Sequence, residues 1–293
     1  MIDLHLHTIA SDGRLSPAQL VARTSAAGLT TISVTDHDTV AAVAEATEVA
    51  HGFSIRVVPG IEITAVDEGR DVHMLGYFFD PLSTTLATVL EQQRALRVAR
   101  VREIGAKLAT LGMPIDVESV LLLAAARPGS SVGRPQVARE LVRAGHVTSV
   151  HDAFDKWLAT GRPAFISRIG PSPAAIVDTI HAAGGVASMA HPAVTRRDEL
   201  IAPLVAHGLD AIEVYHSDHS PEDERLYTAM AKKLGTLVSG GSDFHGDDPT
   251  SAKTAVGRPS LNPSRTRRSV LGVVSLPASA FAALEQKARE HQS

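Results

Sequence analysis

The sequence contains no cysteine. This absence excludes disulfide-bonded scaffolds, zinc sites built on thiolates and cysteine nucleophiles, so a bound metal would have to be held by His, Asp and Glu. The sequence also lacks an excess of one charge, because 28 Lys and Arg residues stand against 32 Asp and Glu residues, for a formal net charge of -4. A chain balanced in this way is not expected to bind polyanions in general.

Long apolar runs are missing as well. No stretch reaches the roughly 18 apolar residues of a membrane span, and the segment Met1–His7 has two histidines and an aspartate where a signal peptide needs a basic start and an apolar run. We therefore expect a cytoplasmic protein with no membrane association and no obligate protein partner. With 293 residues, 44% of them hydrophobic, the chain can form one large globular domain or a domain with an insertion.

Strand-like and helix-like segments alternate along most of the chain, which is typical of an α/β sheet or barrel. Ser16 and Pro17, for example, mark the start of a helix and Gly28 marks its end. The middle of the sequence is helical and contains no convincing strand. The pattern predicts three parts: a barrel at residues 1–82 and 169–257, a helical insertion at 83–168 that forms a lid, and a C-terminal extension at 258–293 that packs on the barrel.

Histidines and acidic residues recur where the predicted strands end. His5 and His7 are two residues apart, which puts both on one face of a strand, although a surface strand would explain this pair alone. Further such residues follow, namely Asp12, His37, Glu62, His73, His191, Asp243 and His245. The carboxyl ends of barrel strands converge on one face, and so many polar groups there require a partner such as a divalent cation. Nitrogen and oxygen ligands without sulfur fit Mn, Fe or Zn.

In this order the motifs resemble the PHP (polymerase and histidinol phosphatase) family of metal-dependent phosphoesterases. The motifs are His5-x-His7, Ser11-Asp12-Gly13, Thr35-Asp36-His37-Asp38, Gly60-Ile61-Glu62, His73, Ala190-His191-Pro192 and Gly241-Ser242-Asp243-x-His245. The resemblance implies a distorted (β/α)7 TIM-like barrel that holds two to three divalent metal ions, with Mn favoured over Fe, Zn or Mg.

The resemblance also implies how the ligands are divided. One metal would take His5, His7, Glu62 and Asp243, a second would share Glu62 and add His73 and His191, and a third would take Asp12, His37 and His245. Many relatives have a histidine where Asp12 stands, which implies a harder or weaker third site, closer to Mn or Mg in preference. Glu62 and Asp243 are the expected catalytic ligands, and Glu62 is expected to bridge two ions.

Within the family the sequence resembles most the stand-alone branch that includes RNase AM and nucleoside 3′,5′-bisphosphate phosphatases. The supporting segments are Gly133-Arg134-Pro135-Gln136, Gly161-Arg162-Pro163-Ala164 and Glu213-Val214-Tyr215-His216-Ser217. Relatives usually have a histidine where Gln136 stands, so the contribution of this position to substrate binding is open. The resemblance implies removal of the 3′-phosphate from nucleoside 3′,5′-bisphosphates, with 5′-to-3′ exonuclease action on short 5′-phosphorylated RNA as a second activity.

Two alternatives stay open from the sequence. One is a histidinol-phosphate phosphatase or another small-molecule phosphomonoesterase, which would share the metals. The other is a non-catalytic module with decayed metal sites, which is disfavoured because every expected ligand position holds a competent residue.

Residues outside the metal ligands are also candidates. We expect substrate-binding cations at Arg134, Lys156, Arg162 and Arg168 in the insertion, because a phosphate-binding lid needs such groups. His216 is expected to position a leaving group or phosphate, or to support a metal ligand. Aromatic residues that could stack on a base are Phe154, Trp157 and Phe165. The remaining histidines considered are read as ordinary surface residues, namely His51, His146, His151, His181, His207 and His291.

Overall fold

The strands of this protein form a single, nearly closed sheet. The computed structural model describes residues 1–126, 129–246 and 270–293, and within them seven strands pair in chain order. They are β1 Ile2–Leu6, β2 Thr31–Val34, β3 Arg56–Asp67, β4 Arg70–Tyr77, β5 Val186–Met189, β6 Ala211–His216 and β7 Leu237–Gly241. The chain after β7 returns to β1, where the backbone N–H of Asp243 donates to His5 O at 2.8 Å. This architecture confirms the predicted barrel.

A glycine allows the two end strands to meet. A Cβ atom on Gly241 would lie 2.3 Å from the backbone nitrogen of His5, so no other residue fits there without moving the backbone. Next to it, Ser242 N–H donates to Asp3 Oδ1 at 2.9 Å. The closure therefore depends on backbone contacts and on one buried aspartate.

The fourth strand runs against its neighbours. β4 is antiparallel to both β3 and β5, and a two-residue turn with positive φ at Glu68 and Gly69 joins it to β3. The apolar segment Ile55–Val58, which is followed by Pro59 and Gly60, predicts a short third strand, whereas β3 continues to Asp67. Pro59 is tolerated inside it because β3 leaves β2 at this residue and continues with β4. Glu62 consequently lies within a strand instead of after one.

Helices surround the strands and fill the connection between β4 and β5. Ser16 caps the first helix as predicted, by accepting a hydrogen bond from Gln19 N–H at 3.2 Å. The helices are α1 Pro17–Ala26, α2 Val43–Ala50, α3 Thr84–Thr110, α4 Val117–Ala125, α5 Arg134–Arg143, α6 Val150–Ala153, α7 Pro173–Ala182, α8 Pro192–Thr195, α9 Ile201–His207, α10 Pro221–Leu234 and α11 Ala278–Gln292. Among the described residues, no helix is both long and apolar enough to cross a membrane.

The helical segment from α3 to α6 has a hydrophobic core of its own. Val101, Leu108, Leu141 and Leu158 are buried together there, apart from the clusters that pack on the strands. The wide-turn helix Phe154–Leu158 continues α6. The predicted boundaries of this insertion stay a prediction.

The last described helix covers one end of the barrel. Phe281, Leu284 and Ala288 of α11 pack with Leu4 and Tyr77 of the strands. The predicted barrel segment 247–257 and the first part of the predicted extension, 258–269, lie outside the described residues.

Candidate metal centre

Strand alternation aims the first two histidines into the barrel. Leu4 and Leu6 of β1 pack outward against hydrophobic clusters, so His5 between them and His7 after them point inward. Both imidazoles are fully buried. The predicted pairing of the two on one strand face therefore brings them into the interior at the carboxyl end of β1.

Glu62 lies at the centre of the cluster. Its Oε2 atom is 3.3 Å from His5 Nε2, 3.2 Å from His7 Nε2 and 3.1 Å from His37 Nδ1. Its Oε1 atom is 2.7 Å from His73 Nδ1 and 3.1 Å from His191 Nε2. One carboxylate thus contacts imidazoles from five different places in the chain.

Two further carboxylates flank this centre. Asp243 Oδ1 lies 3.2 Å from His7 Nε2 and 3.4 Å from His245 Nδ1. Asp12 Oδ1 lies 3.1 Å from His245 Nε2, and Asp12 Oδ2 lies 3.8 Å from His37 Nε2. The two aspartates stand on either side of His7 and His245.

The ligand atoms of these residues fall into overlapping groups. The groups with all donors within 4.8 Å of one another are His5, His7, Glu62 and Asp243; then His7, Asp12, His37 and His245; then His37, Glu62 and His73. The first group contains the residues expected for one metal, and the second contains those expected for the third metal together with His7. His191 meets Glu62 but lies outside the groups. The division of ligands among the ions stays a prediction.

These residues fit divalent cations, because many of their buried polar atoms have no hydrogen-bond partner among the described residues. Buried atoms without a hydrogen-bond partner in the described residues are concentrated here, namely His5 Nε2, His7 Nδ1 and Nε2, His37 Nδ1, Glu62 Oε2 and His191 Nδ1. Buried polar atoms are normally hydrogen-bonded, and imidazole nitrogens with carboxylate oxygens are ligands for divalent transition metals. A set of unsatisfied donor atoms that converges on one carboxylate is what such an ion requires.

The pKa values of the site also favour a bound cation. The pKa of Glu62 lies well below its usual range, because His37, His73 and His5 outweigh the effect of burial. Burial lowers the pKa of His37 to about 3, so this imidazole is neutral and has a lone pair to offer. Burial also lowers the pKa of His7, but the nearby carboxylates of Asp243 and Glu62 raise it overall to about 10. The carboxylates therefore attract a cation.

A second carboxylate orients the first histidine. Glu213 in β6 is fully buried, and its Oε1 accepts a hydrogen bond from His5 Nδ1 at 2.9 Å. Its Oε2 accepts from His191 N–H at 2.7 Å. This fixes the His5 proton on Nδ1 and leaves Nε2 free toward Glu62, as is usual for metal-binding histidines. The sequence placed Glu213 in a family segment but gave it no role.

His216 lies beneath one of the candidate metal ligands. It is fully buried beneath Asp243, with Nε2 3.5 Å from Asp243 Oδ2. Its Nδ1 accepts from Asp218 N–H at 3.1 Å, so the ring proton is on Nε2 and faces the carboxylate. Burial lowers the pKa of His216 to about 4. The ring is thus placed to orient Asp243, the second of the two roles considered for it.

Backbone strain helps to aim three of the acidic and imidazole groups. Asp38, His191 and Asp243 have φ values of 52°, 27° and 55°, which non-glycine residues rarely adopt. Asp38 is held there by Thr64 N–H, which donates to its Oδ1 at 2.8 Å. Such conformations cluster at functional sites because the surrounding structure imposes them.

A cavity of about 200 Å³ separates the metal centre from the insertion. His37, His73 and Asp12 line its barrel side. Residues of the insertion line much of the rest, including Arg97, Arg134, Gln136, Phe154 and Arg168. The cavity therefore joins the metal centre to a cluster of guanidinium groups.

The arginines of this cavity contact two aspartates, the buried Asp38 and the half-buried Asp71. Arg97 donates through Nε to Asp38, Arg134 Nη2 donates to Asp71 at 3.1 Å, and Arg168 Nε lies 3.3 Å from Asp71 Oδ1. Nε and Nη1 of Arg168 have no hydrogen-bond partner of good geometry among the described residues. Three guanidinium groups are thus grouped around these two carboxylates beside the metal centre.

Two predicted substrate-binding cations lie elsewhere. Lys156 pairs with Asp152 at 2.7 Å, and Arg162 pairs with Asp155 at 3.3 Å. Neither residue lines the cavity, because both are on the exposed side of the turn that follows α6. Both side chains therefore lie outside the cavity that adjoins the metal centre.

Arg97 is the residue that sequence reasoning missed. It follows Gln93 by four residues and precedes Val101 by four, on the buried stripe of α3. A charged residue on the buried stripe of a helix was a signal available in the sequence. The Arg-rich composition of α3 concealed it.

Gln136 connects the insertion to the turn that carries Asp12. Its Nε2 donates to Ser11 O at 2.5 Å, and its Oε1 accepts from Gly133 N–H at 2.9 Å. Of the three aromatic residues considered for stacking, Phe154 lines the cavity, whereas Trp157 packs in the core of the insertion. Phe165 contacts the guanidinium of Arg134, whose Cζ is 5.7 Å from the ring centroid.

Known proteins are similar to this chain in sequence and in fold. The PHP domain model matches residues 3–131. A 5′-3′ exoribonuclease of Haemophilus influenzae is 36% identical over 248 residues, which cover 83% of this chain and 89% of the relative. The chain belongs to the PHP family. The 3′,5′-nucleoside bisphosphate phosphatase of Chromobacterium violaceum is another PHP relative, 33% identical over 249 residues that cover 83% of this chain and 87% of that protein.

Solved structures agree with the PHP assignment. A candidate metal-dependent phosphoesterase from Bifidobacterium adolescentis superposes with a TM-score of 0.83 at 31% identity, over 98% of this chain and 96% of that one. A Chromobacterium violaceum protein described as an amidohydrolase with bound sulfate has a TM-score of 0.76 at 33% identity, over 83% of this chain and 87% of that one. As a PHP protein the chain is a metal-dependent phosphoesterase, with divalent metal ions as its cofactors.

Proposed function

We propose that this enzyme removes the 3′-phosphate of nucleoside 3′,5′-bisphosphates, and that the same site trims short 5′-phosphorylated RNA in the 5′-to-3′ direction. Relatives with about a third of their residues identical carry both activities in their names. The two reactions are compatible because each cleaves a phosphoester bond to a 3′-oxygen while a 5′-phosphate is held nearby. A nucleotide or a short RNA is therefore the proposed substrate.

The observation that carries this proposal is the guanidinium cluster beside the metal centre. Arg97, Arg134 and Arg168 face the same cavity as His37 and His73. Burial, followed by the charge of Arg97, lowers the pKa of Arg168 to about 9, so its charge is costly to bury without a further anion. A phosphate dianion relieves that cost, and arginine binds phosphate through paired N–H donors.

Space for the rest of the substrate adjoins this cavity. One neighbouring pocket shares Asp71, His73 and Arg134 with it, and another shares Ser11 and Gln136. Phe154 borders the cavity and offers a ring face to a base. The dimensions suit one or two nucleotides, in line with the proposed substrates.

We propose residues 83–168 as the lid of this site. The insertion supplies Arg134, Phe154 and Arg168 to the cavity. It is fastened to the barrel where Gln136 and Arg139 donate to the carbonyls of Ser11 and Asp12. Such contacts hold this part of the insertion against the turn that carries Asp12.

The chain's own residues have separable tasks in the proposed reaction. The bound divalent ions supply an activated water nucleophile and neutralise charge on the phosphoryl oxygens. His5, His7, Glu62 and Asp243 would hold one ion, Glu62 with His73 and His191 a second, and Asp12 with His37 and His245 a third. Glu213 keeps His5 in the tautomer that presents Nε2. Manganese is the proposed ion, as the family resemblance implies, and nitrogen and oxygen donors without sulfur suit it as they suit Fe or Zn.

Orientation and charge compensation are the work of the arginines. Arg168 has Nε and Nη1 donors to give to a phosphate, while Arg97 is fixed by Asp38 and by Val132 O. Fixed donors cost little reorganisation when the substrate binds. The 5′-phosphate is the group proposed to occupy this place, which leaves the 3′-phosphate over the metal centre.

The test is a side-by-side assay of adenosine 3′,5′-bisphosphate, adenosine 3′-monophosphate, 5′-phosphorylated oligoribonucleotides and histidinol phosphate in the presence of Mn²⁺. We expect Arg134→Ala and Arg168→Ala to raise KM for the bisphosphate by about 10- to 100-fold, the loss of one or two charge-assisted hydrogen bonds. The 3′-monophosphate, which has no 5′-phosphate, should be affected much less. Arg162→Ala is the matched control, because Arg162 lies outside the cavity.

Two results would overturn the proposal. One is a preference of the wild-type enzyme for histidinol phosphate. The other is an equal loss of activity on the bisphosphate and the 3′-monophosphate in the Arg168→Ala variant, since that outcome would assign Arg168 to the shape of the site and not to the 5′-phosphate.

A further inference from the structure

A second histidine–carboxylate cluster lies far from the metal centre. It consists of His181 at the end of α7, Asp210 just before β6, and His291 near the end of α11, with their ligand atoms within 4.8 Å of one another. β6 runs from this cluster to His216 at the metal centre, a distance of about 20 Å at roughly 3.3 Å per residue. The sequence had suggested that both histidines are ordinary surface residues, but here they converge on one buried carboxylate.

The tautomer of His291 is fixed by a backbone carbonyl. His291 Nδ1 lies 2.7 Å from Gly185 O, which can only accept, so Nδ1 carries the proton. A neutral His291 therefore presents the Nε2 lone pair, and this atom lies 3.4 Å from Asp210 Oδ1. A lone pair and a carboxylate oxygen that face each other need a cation between them or a second proton on the ring.

The arrangement has the features of a metal site with neutral histidines. Histidines that bind metals usually donate their other ring N–H to a carbonyl or carboxylate, as His291 does to Gly185. Two ligand atoms in a tetrahedral zinc site are separated by about 3.4 Å for bond lengths near 2.1 Å, and the distance between His291 Nε2 and Asp210 Oδ1 matches this. The rings of His181 and His291 meet edge to face, with centroids 4.4 Å apart.

The third ligand, His181, has to change its tautomer in order to bind the metal. His181 Nε2 lies 2.8 Å from Asp210 Oδ2, the length of a hydrogen bond that the imidazole donates. A neutral imidazole can present its lone pair at Nε2 once the proton moves to Nδ1, which is near Gly208 at the surface. Asp210 Oδ2 keeps a second partner in Ala187 N–H at 2.9 Å, so the carboxylate stays in place when His181 turns to a metal.

Asp210 borders a groove that is open to solvent, and the side chains of His181 and His291 are 28% and 17% exposed. A groove of about 470 Å³ runs along Asp210, Lys287 and Glu290. Lys287 Nζ lies 3.8 Å from both Asp210 Oδ1 and Glu290 Oε2. The lysine is more than a third exposed, so it can pair with Glu290 alone and leave Asp210 to another cation.

We propose that His181, Asp210 and His291 form a separate binding site for a divalent transition-metal ion such as Zn²⁺, with water as the remaining ligand. The three ligands belong to α7, to the segment before β6 and to α11. A bound ion therefore fastens α11 to the end of the barrel opposite the metal centre. The site is independent of the proposed function, because none of its residues lines the cavity at the metal centre.

The proposal is tested by counting bound zinc. The full chain is dialysed against buffered free Zn²⁺, and zinc per chain is measured by elemental analysis. His291→Asn is the informative variant, because the asparagine amide can still donate to Gly185 O while the Nε2 ligand is lost. His207→Ala is the matched control, since His207 forms a surface pair with Asp178 at 2.8 Å and belongs to no ligand group among the described residues.

We expect wild type and His207→Ala to bind one equivalent of zinc more than His291→Asn and His181→Ala. Phosphatase activity with Mn²⁺ should be unchanged in His291→Asn, which shows that the metal centre is intact and that the missing equivalent belongs to the second site. Equal zinc content in wild type and His291→Asn would overturn the proposal and leave a charged hydrogen-bonded clamp between α11 and the barrel. Circular dichroism confirms that each variant is folded, and His291→Asn serves if His181→Ala is not.

Discussion

The two ends of the barrel each hold a buried carboxylate against histidines, and they differ in what surrounds it. Glu62 contacts five imidazoles and lies beside a cavity lined by arginines. Asp210 contacts two imidazoles and borders a groove whose cation is a lysine. A cluster of histidines and acids is therefore the feature that the candidate metal centre and the proposed second site share. Catalysis on a phosphoester needs the second feature, a charged cavity next to the cluster.

The largest expected contrast comes from replacing the central carboxylate at each end. Glu62→Gln keeps the size of the side chain but removes the charge shared by the surrounding imidazoles. We expect kcat/KM to fall more than about 1,000-fold, which corresponds to about 4 kcal/mol of transition-state stabilisation. Asp210→Asn, its matched control, should keep a kcat/KM near the wild-type value. Steady-state kinetics with elemental analysis measures both, and near wild-type turnover in Glu62→Gln would refute its central role.

Asp12→Ala should have a smaller effect than Glu62→Gln. Asp12 lies at the edge of the cluster, where it contacts His245, His37 and His7. We expect a loss of about 100-fold in kcat/KM, close to 2.7 kcal/mol, with part of the metal content retained. Metal content as low as that of Glu62→Gln would show that the two carboxylates act as one unit.

Glu213→Gln probes the support of the ligands and not the ligands themselves. The amide can accept one of the two hydrogen bonds that Glu213 accepts from His5 and from the backbone of His191, but it lacks the charge. Loss of such an orienting partner costs about 10- to 100-fold in metal affinity or activity. Activity that recovers at high Mn²⁺ concentration is the expected signature, and a defect that no metal concentration restores would contradict it.

The smallest effect on activity is expected at the opposite end. Leu284 of α11 is fully buried against the barrel, so Leu284→Ala should destabilise the protein by about 2 to 5 kcal/mol. Because the change lies far from the metal centre, kcat/KM of the folded protein should not change. Urea unfolding followed by circular dichroism measures the first quantity, and a parallel fall in kcat/KM would show that the two ends are coupled.

Part of the candidate metal centre was predictable because several of its residues follow strand ends. The pattern His5-x-His7 and the single residues after later strands indicated a cluster, since a barrel brings the carboxyl ends of its strands together, although Glu62 and His73 lie inside strands. The extent of β3 was not, because Pro59 and Gly60 resemble the end of a strand unless the change of partner from β2 to β4 is known. The pattern of residues along the sequence does not reveal that a strand changes its pairing partner.

The cations of the site were predictable only in part. Arg134 and Arg168 were expected to bind substrate and do line the cavity, whereas Lys156 and Arg162 were expected there and point away from it. A helical sequence gives the face on which an arginine lies, but not what that face meets in the fold. His181 and His291 illustrate the same limit, because their contact with Asp210 depends on how α11 packs against the barrel.

The closure of the barrel determines when the metal centre can assemble during synthesis. Glu62 and His73 are 11 residues apart and meet within one hairpin, so their contact forms locally and early. The junction of β1 with the segment after β7 joins Ser242 to Asp3 across 239 residues, and His5, His7 and Asp243 come together only there. A growing chain therefore presents only part of the ligand set until Asp243 and His245 have been synthesised. The full ligand set exists only after the end of the barrel has left the ribosome, which makes metal loading a late step that reports on completed folding.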